Sequence, residues 1–241
     1  MRGTGTTLRL AASLAALSLW PGVAFAASTI TGTITFTGTP PTLKPVPMDA
    51  DPVCAKKHSG PVPSEMLVLG KGNTMANIIV YVSNGVPAGK KYPAPSTPVV
   101  LDQKGCQYVP HAQGIMVGQQ YKILNSDGVL HNVHSLPKVN PQFNKPMPPT
   151  LKEATTSFAK PEPIFTIKCD VHPWMLAHIG VFEHPFFATT GTDGKFTISG
   201  LEPGTYEITA WHERLGTQKA TVKVGASGAV TQDFKFAMPA K

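Results

Sequence analysis

The sequence predicts an all-β protein composed of two β-sandwiches. Its 22 glycines and 24 prolines are spread along the chain and are not clustered. Short runs of β-branched and apolar residues alternate with turn sequences, and helical periodicity is hard to find. About 215 residues follow the leader described next, which is enough for one large β domain or two small ones.

Residues 1–26 have the pattern of a cleaved secretory signal peptide. Arg2 and Arg9 supply positive charge, Leu10 to Trp20 is apolar, and Ala24 to Ala26 forms a small-x-small cleavage site. The apolar run is shorter than the roughly 20 residues that span a bilayer. We therefore expect a periplasmic or secreted protein with no transmembrane segment.

The charge pattern argues against nucleic-acid binding. The formal net charge is +7, and it falls to +5 once the two arginines of the leader are removed. The lysines are scattered, and the sequence has no arginine-rich stripe with interleaved aromatic residues. A mildly basic surface of this kind serves solubility or attracts an acidic partner or anionic lipid.

The N-terminal part of the mature chain is predicted to contain three strands. The first runs from Ser28 to Gly38 and ends in a Gly-Thr-Pro-Pro turn. A proline-rich connection without periodicity follows, from Thr39 to Pro63. The other strands are predicted at Met66 to Leu69 and at Asn77 to Val82, and the last is apolar on both faces, as in a buried strand.

A second set of strands is predicted between Pro98 and Glu183. Its members are Val99–Asp102, Ile115–Val117, Tyr121–Leu124, Ile164–Lys168 and Ile179–Glu183. Leu136 to Lys160 contains several prolines and is predicted to be an excursion over the surface. After Pro185, turns such as Asp193-Gly194 precede further strands at Phe196–Ile198, Tyr206–Trp211, Lys219–Val224 and Gln232–Phe236.

The residues from Cys169 to Met175 have the form Cys-x2-His-x2-Met and follow a predicted strand. A loop this short directs a thiolate, the imidazole of His172 and a thioether toward one centre, and His131 supplies a second imidazole. Two imidazoles, one thiolate and a weak axial thioether are the ligands of blue-copper electron-transfer sites. The sequence therefore predicts one mononuclear copper ion bound by His131, Cys169, His172 and Met175, with Trp174 helping to exclude water. Zinc and a metal-free site are the alternatives.

Residues 97–184 resemble the cupredoxins. The ligand loop, with Pro-aromatic between His and Met, is similar to that of amicyanin, and His131-Asn132-Val133 is similar to the first-histidine segment of plastocyanins. The resemblance extends to periplasmic proteins of the methylamine-utilisation type, and it implies that Asn132 ties the two ligand segments together. The sequence departs from the family at Asp170, where Ser or Thr is usual, which bears on the colour and potential of the site.

The three cysteines leave one unpaired in an oxidising compartment. Because Cys169 lies in the ligand motif, we expect a disulfide between Cys54 and Cys106. That disulfide would protect Cys169 from mispairing and fasten the proline-rich connection. A free buried thiol is the alternative.

Four further histidines lie near the predicted ligands. His111 and His134 are extra to the family pattern and are candidates for an additional metal site. For His134, a solvent-facing or supporting role is favoured over ligation because of its strand spacing from His131. His178 and His184 are expected to be ordinary surface or packing residues.

We expect a protein that is not an enzyme and has no catalytic residues. His212-Glu213 begins like a zinc-protease motif, but Gly216 occupies the position where the second histidine belongs. The sequence has no nucleophile-elbow motif, phosphate-binding loop or paired carboxylates.

A second resemblance lies in the C-terminal segment. The residues from Thr192 to Phe196 and from Leu201 to Tyr206 resemble the carboxypeptidase regulatory-like β-sandwich, a transthyretin-like fold. The segment 185–241 has too few strands for two sheets, and strands of the missing type occur within residues 28–95. We therefore predict that the cupredoxin-like segment is inserted into this sandwich. The alternative is an N-terminal extension followed by a separate C-terminal module.

The sequence supports three functions. The first is one-electron transfer by a type 1 copper protein, with a c-type cytochrome or a dehydrogenase as redox partner. The second is copper binding or delivery by the same residues, to which His111 and His134 would contribute. The third is a binding module in which the outer sandwich recognises a cell-envelope glycan and the metal site is structural or lost.

Overall fold

The computed structural model describes residue 3 and residues 28–239. The regular structure of these residues is almost entirely β, as predicted. The strands are β1 (Ser28–Thr37), β2 (Ile79–Asn84), β3 (Val99–Lys104), β4 (Gln107–Val109), β5 (Ala112–Met116), β6 (Tyr121–Asn125), β7 (His131–Ser135), β8 (Asn144–Met147), β9 (Glu153–Thr156), β10 (Glu162–Lys168), β11 (Leu176–Phe182), β12 (Phe187–Thr189), β13 (Lys195–Leu201), β14 (Gly204–His212), β15 (Gly216–Val224), β16 (Ala229–Thr231) and β17 (Phe234–Ala237). The helices are α1 (Pro52–Ala55) and two single 3-10 turns, Met48–Ala50 and Lys71–Asn73.

The predicted signal peptide lies outside the described residues, apart from residue 3. Within the described part of the chain, no helix has the length and apolar character needed to cross a membrane.

The strands form four sheets that pack in two pairs. The central sandwich pairs the sheet β5-β11-β10-β7-β8 with the sheet β4-β3-β6-β9. Its core includes Leu101, Ile123, Val133 and Ile179, all fully buried. The outer sandwich pairs the sheet β12-β2-β14-β15 with a sheet in which β1 contacts β13, β16 and β17.

Strand β1 joins the N-terminal part of the chain to the C-terminal strands. It runs antiparallel to β13 and parallel to β16 and β17. Every second residue of β1 is buried, which places Ile30, Ile34 and Phe36 in the core of the outer sandwich. The strand pairing required for insertion of the central sandwich into the outer one is therefore present. The domain boundaries themselves stay a prediction.

Two element assignments made from the sequence are wrong. Met66 to Leu69 is not a strand, because Leu69 forms only an isolated bridge with Met75. The segment 136–160 is not only a surface excursion, because it contains β8 and β9, which each extend a sheet of the central sandwich. Both strands are only four residues long and carry few large apolar side chains, so hydrophobic periodicity could not reveal them.

The proline-rich connection is fastened to the central sandwich near α1. The side chain of Asp51 caps this helix and accepts hydrogen bonds from the N–H groups of Val53 (2.8 Å) and Cys54 (3.3 Å). The predicted disulfide between Cys54 and Cys106 is present, and both residues are fully buried. The disulfide holds the connection beside the turn between β3 and β4.

Candidate metal centre

The loop that carries three of the predicted ligands joins β10 to β11. Lys168 and Leu176, at its two ends, are paired across the two strands. The Cys169 N–H donates to the Met175 carbonyl at 3.1 Å, and the Met175 N–H donates to the His172 carbonyl at 2.9 Å. This tight turn holds Sγ of Cys169 3.9 Å from Nδ1 of His172.

His131 reaches the same point from β7, which lies beside β10 in the sheet. Its Nδ1 is 2.9 Å from Nδ1 of His172. The ligating atoms of His131, Cys169 and His172 all lie within 4.8 Å of one another. These residues are 0%, 2% and 2% exposed, and Met175 is 1% exposed on the same loop. The structure thus gathers two imidazoles and a thiol in the interior, with the methionine buried nearby in the chain.

Each imidazole contacts a carboxylate through Nε2, the ring nitrogen that does not face the other histidine. Nε2 of His131 is 3.0 Å from Asp127, and Nε2 of His172 is 3.0 Å from Asp51. Because a neutral imidazole has one N–H, donation from Nε2 leaves a lone pair on Nδ1 of both rings. Two lone pairs that face each other at 2.9 Å need a proton on one ring or a cation bound to both. Carboxylates are usual partners of histidines that bind metals.

Backbone N–H groups fix both carboxylates in place. Asp127 accepts hydrogen bonds at 2.7 Å from the N–H groups of Gly105 and Cys106, which have positive φ in the β3–β4 turn. Asp51 is held in the same way by the first turn of α1. Since the disulfide joins Cys106 to Cys54, it connects the two segments that hold the carboxylates.

Asp51 and Asp127 also belong to this site, although the sequence alone does not identify them. Each had a local signal: Asp51-Pro52 is typical of a helix start, and Asn125-Ser126-Asp127-Gly128 is typical of a turn. Neither signal reveals the distant histidine that the carboxylate contacts.

The surroundings of Cys169 favour its ionised form. Burial raises the pKa of the thiol, but hydrogen bonds involving His131 and the backbone of Asn132 and His172 outweigh burial and lower the pKa to about 7. Burial lowers the pKa of His131, but Asp127 and Cys169 outweigh this effect and raise it. The thiolate is the form of cysteine that binds metals.

Asn132 connects the two segments that carry the ligands. Its Oδ1 accepts hydrogen bonds from the Asp170 N–H at 2.7 Å and from the Cys169 thiol at 3.3 Å. Its Nδ2 donates to Asn144 at 2.6 Å and to the Asp170 carboxylate at 3.0 Å. This is the connection that the resemblance to cupredoxins implies for Asn132. Asp170, the departure from the family pattern, takes part in it.

Trp174 packs beside the histidine of its own loop. Its ring centroid is 5.1 Å from that of His172, and its indole N–H donates to the Cys106 carbonyl at 3.0 Å. The side chain therefore fastens the ligand loop to the disulfide-bonded turn.

The structure does not support an additional metal site made of His111 and His134. His134 lies on β7 and contacts Asp170 at 3.0 Å. His111 precedes β5, and β10 and β11 lie between β5 and β7. Three strand spacings amount to about 14 Å, which no single metal ion can bridge. His111 instead contacts Glu213.

The donor set fits copper. Cys54 lies 3.6 Å from Nε2 of His172, but its sulfur is bonded to that of Cys106 and is not a thiolate. Cys169 is the one free thiol in the described part of the chain. Thiolate and thioether favour Cu(I), and imidazole suits both oxidation states of copper.

A comparison with protein-family models agrees with one of the two predicted resemblances. Residues 177–237 match the family model of the carboxypeptidase regulatory-like domain. The match contains the two turns from which that resemblance was predicted, and it confirms the prediction for this segment. No curated protein matches the chain.

Solved structures similar to this chain include copper proteins. A Cu-containing nitrite reductase (NirK) from Thermus scotoductus SA-01 is 23% identical, with a TM-score of 0.33 over 42% of this chain and 26% of its own length. The chain thus spans about a quarter of that reductase. A Cu(I) form of an amicyanin mutant is 17% identical, with a TM-score of 0.32 over 43% of this chain and 98% of amicyanin.

Proposed function

We propose that this protein is a periplasmic type 1 (blue) copper protein that transfers single electrons. One observation carries the proposal: Nδ1 of His131, Nδ1 of His172 and Sγ of Cys169 converge in a buried site. Copper bound there would supply the Cu(II)/Cu(I) couple. Met175 is proposed as the axial ligand.

The way in which the ligands are held supports electron transfer. Both imidazoles are fixed at Nε2 by carboxylates that are themselves anchored to backbone N–H groups. Asn132 fixes the thiol side of the site. Ligands held this firmly move little when the charge of the metal changes, so little reorganisation accompanies each electron.

The same features make copper delivery a less suitable function. Transfer of an ion to a partner requires ligands that the partner can reach, whereas the three convergent residues are at most 2% exposed. An electron, unlike an ion, can pass through a closed ligand shell.

A redox partner is proposed to dock at the end of the central sandwich that carries the ligands. Leu130 and Val171, which precede His131 and His172 in sequence, are 49% and 46% exposed. Exposed apolar side chains at such positions suit transient contact with a c-type cytochrome or a dehydrogenase.

Voltammetry of the copper-loaded mature protein tests this function. We expect a reversible one-electron couple in the wild type and in a His184→Ala control, whose histidine follows β11 at the end of that strand away from the ligand loop. The Cys169→Ala variant should lose the couple. Copper that binds but shows no reversible couple, and that a chelator readily removes, would contradict electron transfer and favour delivery.

A further inference from the structure

A second group of metal-binding side chains lies where the two sandwiches meet. His111 precedes β5 and His178 lies on β11, both in the central sandwich, and the backbone N–H of His178 donates to the His111 carbonyl at 2.8 Å. Glu213 follows β14 of the outer sandwich. The contact between His111 and Glu213 joins residues that are 102 positions apart in the chain.

The three side chains converge on one point. Nε2 of His111 is 2.6 Å from Oε1 of Glu213, and Nε2 of His178 is 3.3 Å from Oε2 of the same carboxylate. The two imidazole rings are 5.3 Å apart and nearly perpendicular. One ligating atom from each residue lies within 4.8 Å of the other two. Such separations suit an ion about 2.0 Å from each nitrogen and oxygen.

The group is buried and incompletely satisfied by the protein. His111 and His178 are 6% and 7% exposed, and the Glu213 side chain is 10% exposed. Nε2 of His178 and Nδ1 of His111 make no hydrogen bond of good geometry with any described residue. Oε2 of Glu65 lies 3.6 Å from Nδ1 of His111. A buried imidazole nitrogen without a hydrogen bond is costly, and coordination of a metal by Nε2 of His178 would remove that cost at this atom.

We propose that His111, His178 and Glu213 bind a zinc ion that links the two sandwiches. Two histidines and one glutamate are an established ligand set for Zn²⁺ and leave a fourth position for water. Burial alone would raise the pKa of Glu213, but its contacts with His111 and His178 outweigh burial and lower the pKa to about 2. The carboxylate is therefore ionised and ready to bind a cation. This site does not depend on the proposed copper centre.

The competing arrangement is an ion pair between a protonated His111 and Glu213. Burial lowers the pKa of His111, but its contacts with Glu213 and Glu65 outweigh burial and raise it to about 9. Zinc must displace that proton to bind. The ion pair occupies one imidazole and leaves Nε2 of His178 without a good hydrogen bond, whereas zinc engages all three residues.

Zinc titration of the copper-loaded mature protein tests the proposal. We expect one zinc ion per chain in addition to copper, with a rise in Tm, measured by calorimetry and by competition with a chromophoric chelator. Glu213→Gln and His178→Ala should each weaken zinc binding by at least about 100-fold. The visible spectrum of the copper centre reports whether the central sandwich of each variant is folded. His184→Ala removes a histidine that follows β11, the strand that carries His178, and it should leave zinc binding unchanged.

The Cys169→Ala variant separates this site from the copper centre. It should still bind one zinc ion, with the same dependence on Glu213. The proposal is overturned if wild-type protein binds no zinc, if zinc binding is insensitive to both cluster variants, or if it disappears with Cys169.

Discussion

Removal of the Cys54–Cys106 disulfide should destabilise the protein substantially. The two cysteines are 52 positions apart, so the disulfide closes a long loop in the unfolded chain. The loop-closure relation gives a loss of about 4 kcal/mol for a loop of this length. We therefore expect the free energy of unfolding of the metal-free Cys54→Ala/Cys106→Ala variant to be about 4 kcal/mol lower than that of the metal-free wild type.

The structure adds a local effect to this global one. The backbone N–H of Cys54 binds Asp51, and that of Cys106 binds Asp127. Both carboxylates hold imidazoles of the candidate metal centre. The double variant should therefore also bind copper more weakly, because the two histidines are less firmly oriented.

Urea unfolding of the metal-free proteins, followed by near-ultraviolet circular dichroism, measures the first effect. Metal-free Cys169→Ala is the control, because it removes a buried sulfur without opening a loop. A loss below about 1 kcal/mol in the double variant, or a loss equal to that of the control, would refute the reasoning. Either result would mean that packing holds the proline-rich connection without the disulfide.

Three other predictions follow from the same contacts. Asn132→Ala should lower the free energy of unfolding by about 2 kcal/mol or more and shift the visible spectrum of the copper-loaded protein, because the backbone N–H of Asp170 loses its acceptor. Unfolding and absorption measurements check the two effects, and an unchanged spectrum would contradict the role assigned to Asn132. Gly32→Ala should destabilise the outer sandwich by about 2 kcal/mol or more, because the added Cβ would lie 1.9 Å from the carbonyl oxygen of Gln232. Gly60→Ala is the control: its added Cβ would have no neighbouring atom within 4 Å, so this variant should unfold like the wild type. In metal-free protein, the thiolate absorbance of Cys169 should rise as the pH increases through about 7. His131→Ala should move the midpoint of this rise to higher pH, because the variant lacks a hydrogen bond that favours the thiolate. A midpoint that stays in place would contradict this cause.

Local patterns in the sequence were sufficient to predict the fold class and the proximity of Cys169 and His172 on one short loop. Turn sequences and β-branched runs reveal strands without knowledge of their partners. The Cys-x2-His-x2-Met spacing places three side chains on one loop, so their proximity follows from chain connectivity. The disulfide could be inferred because Cys169 was already assigned to the motif, which left one pair.

The rest of the site depends on contacts between distant segments. Asp51 and His172 are 121 positions apart, and no periodicity relates them. The sequence predicts an ordinary surface or packing role for His178, and its contacts with His111 and Glu213 could not be foreseen because these residues come from separate parts of the chain. His111 and His134 were grouped because both lie near the ligand segments in sequence, whereas the sheet order separates them.

The visible absorption of the protein during titration with Cu(II) tests the central claim most directly. If His131, Cys169 and His172 bind one copper ion, an intense thiolate-to-copper band should grow and saturate at one equivalent in the wild type. The band should be absent in Cys169→Ala and retained in His178→Ala. Copper uptake without this band in the wild type, or a band that persists without Cys169, would contradict the account.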